Sequence, residues 1–428
     1  MALFGGPSPS EAGSRPALSL GIKTGLCLML ILCAVLYGKT HFYRDPGSVF
    51  FDKSRAYEQG YSKIRKEQIQ KYVGSVKNGE AAIGKAGTNP SMCLAMSSVK
   101  RQRVQYLETS VGSILQGLAP QERSDLHLAV LIAQSDPTSH PDWSHQWIHQ
   151  AVDDIFSYSN TTEEDHIRDL EKENNFAEKG VHDYSTALKR CYDAGAPYVA
   201  LFEDDLMMAD GWLVRTLLGL RQIPATMGLD GLPQWLYIRL FNQERSIGWA
   251  SKEIGGNGEY WIIVGIAVGI YAAAALARRR WRSARTHLDL GTICILALIL
   301  NPALVILFYQ SGKASLLPPA PGVFEEPFGC CSQAMIFPRE QVPAVINFLK
   351  EKGKGQIDLL LNDMAEEKNL KRYALYPVQA QHIGLDSARK TQLEEAQAIW
   401  SMAYEDLHER MLKNTHQRMV AEYYGANK

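Results

Sequence analysis

The sequence predicts an α/β domain with a largely parallel sheet, interrupted by a membrane hairpin and preceded by a membrane anchor. Three observations carry this. Short apolar runs alternate with helical periodicity between residues 92 and 202, the β-α-β-α-β order of a parallel sheet. Strand-like alternation resumes far downstream at 331–337, and neither piece is complete alone. Between and before them lie apolar stretches at 18–37, 260–277 and 290–309, each close to the ~20 residues that cross a ~30 Å hydrocarbon core.

Charge orients the three spans. The first carries only Lys23, near its start, and no small-residue cleavage site follows it. That pattern predicts an uncleaved signal anchor at 18–38 with the tail 1–17 in the cytosol. Arg278, Arg279, Arg280, Arg282 and Arg285 crowd the loop 278–287 of the hairpin 259–310, between its arms 259–277 and 288–310, so this loop is expected to be cytosolic as well. Both assignments put 39–258 and 311–428 on the lumenal side. Gly265 and Gly269 form a small-xxx-small face expected to receive the third span. Lys and Arg (45) balance Asp and Glu (46), which gives no nucleic-acid footprint. Spans without a buried acid or base, apart from Lys23, argue against a transporter.

Residues 39–89 read as a juxtamembrane helix over 50–72, from the spacing of Tyr57, Tyr61, Ile64 and Tyr72, and a linker over 77–90 rich in Gly, Asn and Lys. The first lumenal part, 90–258, opens on a strand at 92–96. Val104, Leu107, Val111, Ile114, Leu115 and Leu118 then mark one face of a helix. A second strand at 126–133, a helix at 181–193 and a strand at 198–202 follow, with another strand at 235–241. Pro318, Pro319 and Pro321 stiffen the return from the hairpin. The second lumenal part, 311–428, ends in a helix over 388–424 with Leu393, Ala396, Ile399, Ala403 and Leu407 as its buried stripe.

Chemistry concentrates after the strand at 198–202, in Glu203, Asp204 and Asp205. A buried strand delivers its last residues to the carboxyl edge of the sheet, where α/β folds bind ligands. Adjacent carboxylates repel one another unless a cation sits among them, and hard oxygens suit Mg²⁺ or Mn²⁺. The bland alternative is a solvated acidic turn. Asp153 and Asp154 form a rival pair, without a clean strand before them. His145 and His149 have zinc-ligand spacing but lack the glutamate of a HExxH motif, so a surface helix is expected there. Trp249 reads either as an acceptor platform or as an interface anchor.

Of seven cysteines, Cys27, Cys33 and Cys294 fall in spans, leaving Cys93, Cys191, Cys330 and Cys331 to pair in an oxidising lumen. Three complete pairings are open; the adjacency of Cys330 and Cys331 permits a vicinal bridge, with Cys93 and Cys191 then remaining. Asn160-Thr-Thr is a glycosylation sequon on the lumenal side.

The acidic triplet, the inserted hairpin and the stretches Phe328-Gly-Cys-Cys-Ser-Gln-Ala-Met335 and Gln381-His-Ile-Gly-Leu-Asp386 together resemble the Golgi GalNAc-transferase family that modifies GPI anchors after their attachment to protein. The resemblance implies a GT-A-type, Rossmann-like glycosyltransferase domain and an inverting transfer from UDP-GalNAc to a mannose of the GPI glycan, with Mn²⁺ or Mg²⁺ as cofactor. It implies Asp205, Glu203 and His382 as metal ligands, with Gly384 allowing close approach of backbone beside His382. It implies Ser97, Ser98, Val99 and Arg101, with Glu203 and Asp204, as nucleotide-sugar contacts; Lys100 is either a phosphate contact or solvated. Asp358, which opens a helix after Gly353 and Gly355, is the implied base, with Asp363 in reserve. GPI-anchored proteins and membrane lipids are the implied partners. Two alternatives stay open: another sugar moved to N-glycans or glycolipids, and a non-catalytic membrane scaffold on a degenerate GT-A fold.

Overall fold

The computed structural model describes residues 18–158, 161–228, 230–326, 331–386 and 392–425. Asn160, Cys330 and the start of the motif at 328 lie outside the described residues. The chain forms two compact units. One takes the stretch up to Ala56 together with Ile247–Pro318; the other takes Tyr57–Ser246 and everything from Pro319 onward.

In the first unit, Leu20–His41, Glu259–Arg280 and Leu290–Gln310 are long and apolar enough to cross a membrane. The third contains a widened π turn at Leu296–Leu300. Pro302, just beyond, lacks an N–H and crowds the preceding carbonyls, which accounts for the local unwinding. Asn301 Nδ2 donates across to Ile263 O at 2.8 Å. The expected glycine face is not the one used. A Cβ added at Gly265 or Gly269 would meet nothing within 4 Å. Instead Ile262, Ile266 and Ile270 line an open apolar groove together with Leu296, Leu300 and Leu304. Lys23 bonds Asp289 Oδ2 and Thr292 Oγ1, both at 2.7 Å, which joins the first span to the start of the third. Trp249 packs on Phe308 and Tyr309.

The second unit is an α/β domain around an eight-stranded sheet. Its strands are β1 (Met92–Ser98), β2 (Leu126–Ile132), β3 (Asp154–Phe156), β4 (Tyr198–Glu203), β6 (Trp235–Arg239), β7 (Gly322–Glu325), β8 (Ala334–Pro338) and β9 (Lys371–Tyr376). The order is β3-β2-β1-β4-β8-β6-β9-β7. A separate two-stranded ladder joins β5 (Leu206–Met208) to β10 (Ala380–His382). The sheet takes strands from both sides of the inserted apolar helices in sequence. It is mixed rather than parallel: β8 runs antiparallel to β4 and β6, and β7 antiparallel to β9.

Both faces of the sheet are covered, which explains why its strands read as continuous apolar runs. Met92, Leu94, Met96, Ala200 and Phe202 point into one core with Leu107, Val111 and Trp212. Cys93, Ala95, Val199 and Leu201 point into the other, under helices Phe176–Asp193 and Val342–Lys352. Each large side chain so buried contributes about 1.5–3 kcal/mol.

Two peripheral segments depart from expectation. The juxtamembrane helix runs over Tyr61–Lys77 and belongs to the α/β unit, not to a separate segment. Its buried stripe is Tyr61, Arg65, Ile69, Val73 and Val76, while Ile64 faces solvent. The C-terminal stretch is three helices, Leu393–Ala398, Met402–Glu405 and Glu409–Gly425, because buried Glu244 accepts from Ser401 Oγ and from the backbone amides of Met402 and Ala403.

His416 pins the last helix between Glu122 (2.6 Å) and Asp210 (3.2 Å). Burial alone would lower its pKa, but hydrogen bonds to the two carboxylates prevail and raise it from 6.5 to about 9. A pKa raised on folding gives stability that is complete below 6.5 and lost as pH climbs through 9. Hydrogen exchange in Glu409–Gly425, corrected for intrinsic rates, should therefore lose about tenfold in protection between pH 6.5 and 9.5, the full shift being discounted for solvent screening. His416→Gln should abolish that pH dependence; a persistent drop in the variant would rule the pin out.

Candidate active site

The acidic triplet lies where β4 ends, at the carboxyl edge of the sheet. Parallel pairing sets Glu203 beside Ser97 of β1, and the antiparallel partner β8 brings Gln333 O to the Glu203 amide at 3.0 Å. Loops from β1, β4 and the start of β8 thus meet at one rim.

Strand alternation then separates the acids. Glu203, still within the ladder, turns to the face of helix Phe176–Asp193, where Tyr184 Oη (2.9 Å) and Ser332 Oγ (2.6 Å) donate to its Oε1. Asp204 turns to the opposite face. Its Oδ2 accepts from Ser98 Oγ (2.6 Å) and Arg101 Nη1 (2.7 Å). Asp205 lies beyond the strand, its Oδ2 accepting from Arg101 Nη2 at 2.9 Å. The β5–β10 ladder pairs His382 with Leu206, which puts His382 Nε2 3.5 Å from the same oxygen. Gly384 completes the approach: a Cβ there would fall 2.1 Å from Asp205 Oδ2.

Asp205 is buried, which by itself would raise its pKa; His382 and Arg101 outweigh that and hold it at about 2. Burial opposes the charged form of His382 as well, yet Asp205 beside it lifts its pKa above 6.5. His382 Nδ1–H donates to Ile399 O at 3.2 Å, so Nε2 is the nitrogen turned toward the carboxylate. A neutral ring would set a lone pair against an anion, so the geometry calls for a positive charge between them, a proton or a metal ion. Metal-binding histidines are commonly oriented by such a second hydrogen bond to a carbonyl. Two buried polar atoms in this cluster lack partners, Asp205 Oδ1 and Arg101 Nε.

Among the described residues no three His, Cys, Asp or Glu side chains converge as a metal cage. Asp205 and His382 are the two that meet; Glu203 is engaged elsewhere. Two protein ligands suit a cation such as Mg²⁺ that is completed by water and substrate phosphates.

Ser98 is fully buried against Asp204, and its Oγ also contacts His140 Nε2 at 3.2 Å. Val99 packs on the core beneath helix Phe176–Asp193, and Lys100 is exposed. Asp358 is half-buried in the first turn of Ile357–Glu367, where its Oδ2 accepts the Cys331 amide at 3.1 Å. Since Ser332 bonds Glu203, Asp358 is one residue removed from the acidic rim. Asp363 is exposed further along that helix.

Sequence reasoning missed Tyr106, Tyr184 and Ser332. The Tyr106 ring lies under the Arg101 guanidinium at 5.0 Å, and its hydroxyl accepts the amides of Leu385 (3.0 Å) and Asp386 (2.9 Å). No local pattern marks Tyr106 or Tyr184, and Ser332 falls in the 328–335 stretch without a role, because their partners are far away in sequence. Cys93 and Cys191 form a disulfide, while Cys27, Cys33 and Cys294 are free. The rival acids are structural: Asp153 binds Arg123 and the Leu128 amide, and Asp154 binds Arg190. His145 contacts Asp142, and His149 bonds Trp143 O.

The family model described as GPI-N-acetylgalactosamine transferase PGAP4 matches residues 92–379. That range covers Arg101, the acidic triplet, the hairpin and Asp358, and it stops short of His382. No curated protein matches the chain.

Proposed function

The chain belongs to the GPI-N-acetylgalactosamine transferase family, and from that premise we propose a lumenal, inverting, GT-A-type transferase of the Golgi membrane that moves GalNAc from UDP-GalNAc to a mannose of the GPI glycan. The observation that carries this reading is the juxtaposition of Asp205, His382 and Arg101 at the carboxyl edge of the sheet. A carboxylate and an imidazole there suit a divalent cation, while the β1 loop beside them suits a nucleotide. Asp205 and His382 would hold the cation, Mn²⁺ or Mg²⁺, whose chemistry is to neutralise charge developing on the leaving diphosphate. Ser97 and the backbone at Val99 would meet the nucleotide at this rim, with buried Ser98 fixing Asp204 beneath them. Glu203, held by Tyr184 and Ser332, sets the rim's opposite wall.

In the transfer, the acceptor hydroxyl oxygen bonds to the anomeric carbon as the bond from that carbon to the phosphate oxygen breaks. UDP leaves with the electron pair, and the hydroxyl proton passes to Asp358. The Cys331 amide orients the Asp358 carboxylate and leaves it lone pairs for that proton.

The test uses the full chain in detergent with a panel of nucleotide sugars, measuring UDP release and sugar transfer to a GPI-glycan acceptor. UDP-GalNAc should be the donor turned over. Asp358→Asn should lower kcat by about 10²–10⁴ with the donor KM little changed, the range for loss of a general base. Turnover of a different donor overturns the substrate assignment, and an active Asp358→Asn places the base elsewhere.

A further inference from the structure

Arg101 and the acids it binds come from segments about a hundred residues apart, yet its guanidinium spans two of them, Nη1 to Asp204 Oδ2 at 2.7 Å and Nη2 to Asp205 Oδ2 at 2.9 Å. All three side chains are nearly buried, at 7, 5 and 11% exposure. Tyr106 supports the guanidinium from one side and ties it to the 385–386 segment just beyond His382. One edge stays unused: Arg101 Nε is buried without a partner, as is Asp205 Oδ1. A buried N–H and a buried carboxylate oxygen left unpaired are each costly, so a ligand that meets both recovers that cost. An anion with its own cation has the matching chemistry.

We propose that Arg101 is a positioning residue that balances the charge of the Asp204–Asp205 pair in the donor-free protein, so that a divalent cation binds together with a nucleoside diphosphate rather than before it. This rests on the reading of the site as one for a nucleotide-sugar donor. With the guanidinium in place, the two carboxylates keep one net negative charge, which His382 beside Asp205 offsets further, a weak attraction for a free divalent ion. A diphosphate adds negative charge on the cation's open side and meets the unused Arg101 N–H. Without the guanidinium, two buried carboxylates have only His382 beside them, and a cation gains by entering alone.

The test measures Mn²⁺ binding with and without UDP, and UDP binding at saturating Mn²⁺, by calorimetry on the full-length protein in nanodiscs. Wild type should bind Mn²⁺ at least tenfold more tightly when UDP is present. Arg101→Gln should bind Mn²⁺ alone about tenfold more tightly than wild type, yet bind UDP about tenfold more weakly. These opposite signs separate charge balancing from structural damage, which weakens both. Arg101→Lys keeps the charge without the two-point bridge; its Mn²⁺ affinity should stay near wild type while UDP affinity falls several-fold. Parallel losses of Mn²⁺ and UDP in Arg101→Gln overturn the proposal and leave the donor site standing. Should Arg101→Gln not fold, wild-type UDP affinity in Arg101→Lys overturns it alone. Wild type that binds no UDP with Mn²⁺ removes both the inference and the transferase reading beneath it.

Discussion

Asp205→Asn should lower sugar transfer by about 10²–10³, the size of loss that follows removal of one preorganised electrostatic group, such as an oxyanion-hole donor, from an active site. The carboxylate is the meeting point of Arg101, His382 and the close backbone at Gly384. Asparagine keeps its shape and can still accept from Arg101, but it removes the charge that holds His382 above 6.5. Asparagine is preferred to alanine because breaking a buried ionic network by deletion costs about 3–5 kcal/mol and confounds activity with folding. Glu203→Gln gives the internal comparison. Its hydroxyl partners donate equally well to an amide oxygen, so its loss should be much smaller. The assay is GalNAc transfer by the purified full chain, normalised to protein with an unshifted melting temperature. An Asp205→Asn variant with more than half of wild-type turnover, or a Glu203→Gln variant equally inactive, would contradict the division of labour between the two acids.

That division is not legible in the sequence, whereas the strand and its acids are. The apolar run before Glu203 demands burial on both faces, and a strand so buried carries the three acids at its end out to the rim. Whether Glu203 is the last ladder residue or the first loop residue decides which side it faces, and only its neighbours β1 and β8 set that. The direction of β8 is likewise tertiary: an alternating pattern reads the same in both directions. β3 has three residues, too few for periodicity to register. Apolar spacing in the tail predicts a single helix, but buried Glu244 accepts the amides of Met402 and Ala403 and so starts a new helix there. His382 stands out as a histidine beside Gly384, yet its seat at Asp205 depends on the small β5–β10 ladder. Arg101 reads as a contact for the nucleotide sugar; its bridge to both aspartates depends on a fold that closes over a hundred residues. Residue chemistry is thus visible locally, and pairing is not.

Replacing Cys191 by alanine should destabilise the α/β unit by about 2–5 kcal/mol, the usual cost of losing a native disulfide. The bridge to Cys93 spans 98 residues, and a closed loop of ~100 residues restricts the unfolded chain by up to ~4.7 kcal/mol in the chain-entropy account. Both half-cystines are fully buried, Cys93 beneath helix Phe176–Asp193 and Cys191 on it, so the lost bridge also leaves a small void and a buried thiol. The effect should reach the site by a definite route. Cys93 lies on β1, whose end carries Ser98, and Cys191 lies about two helical turns beyond Tyr184, which holds Glu203. Untied, the helix and strand can shift past each other, loosening the Glu203 wall while Asp204 and Asp205 stay clamped by Arg101. Activity at low temperature should therefore fall several-fold, well short of the loss for Asp205→Asn, and a denaturant titration should show a lower midpoint with a steeper slope, because the denatured chain without its crosslink exposes more surface. The double variant Cys93→Ala, Cys191→Ala should match the single one within about 1 kcal/mol, since the first substitution already breaks the bond. An unchanged midpoint in the single variant would mean that the bridge adds nothing the surrounding core does not already supply.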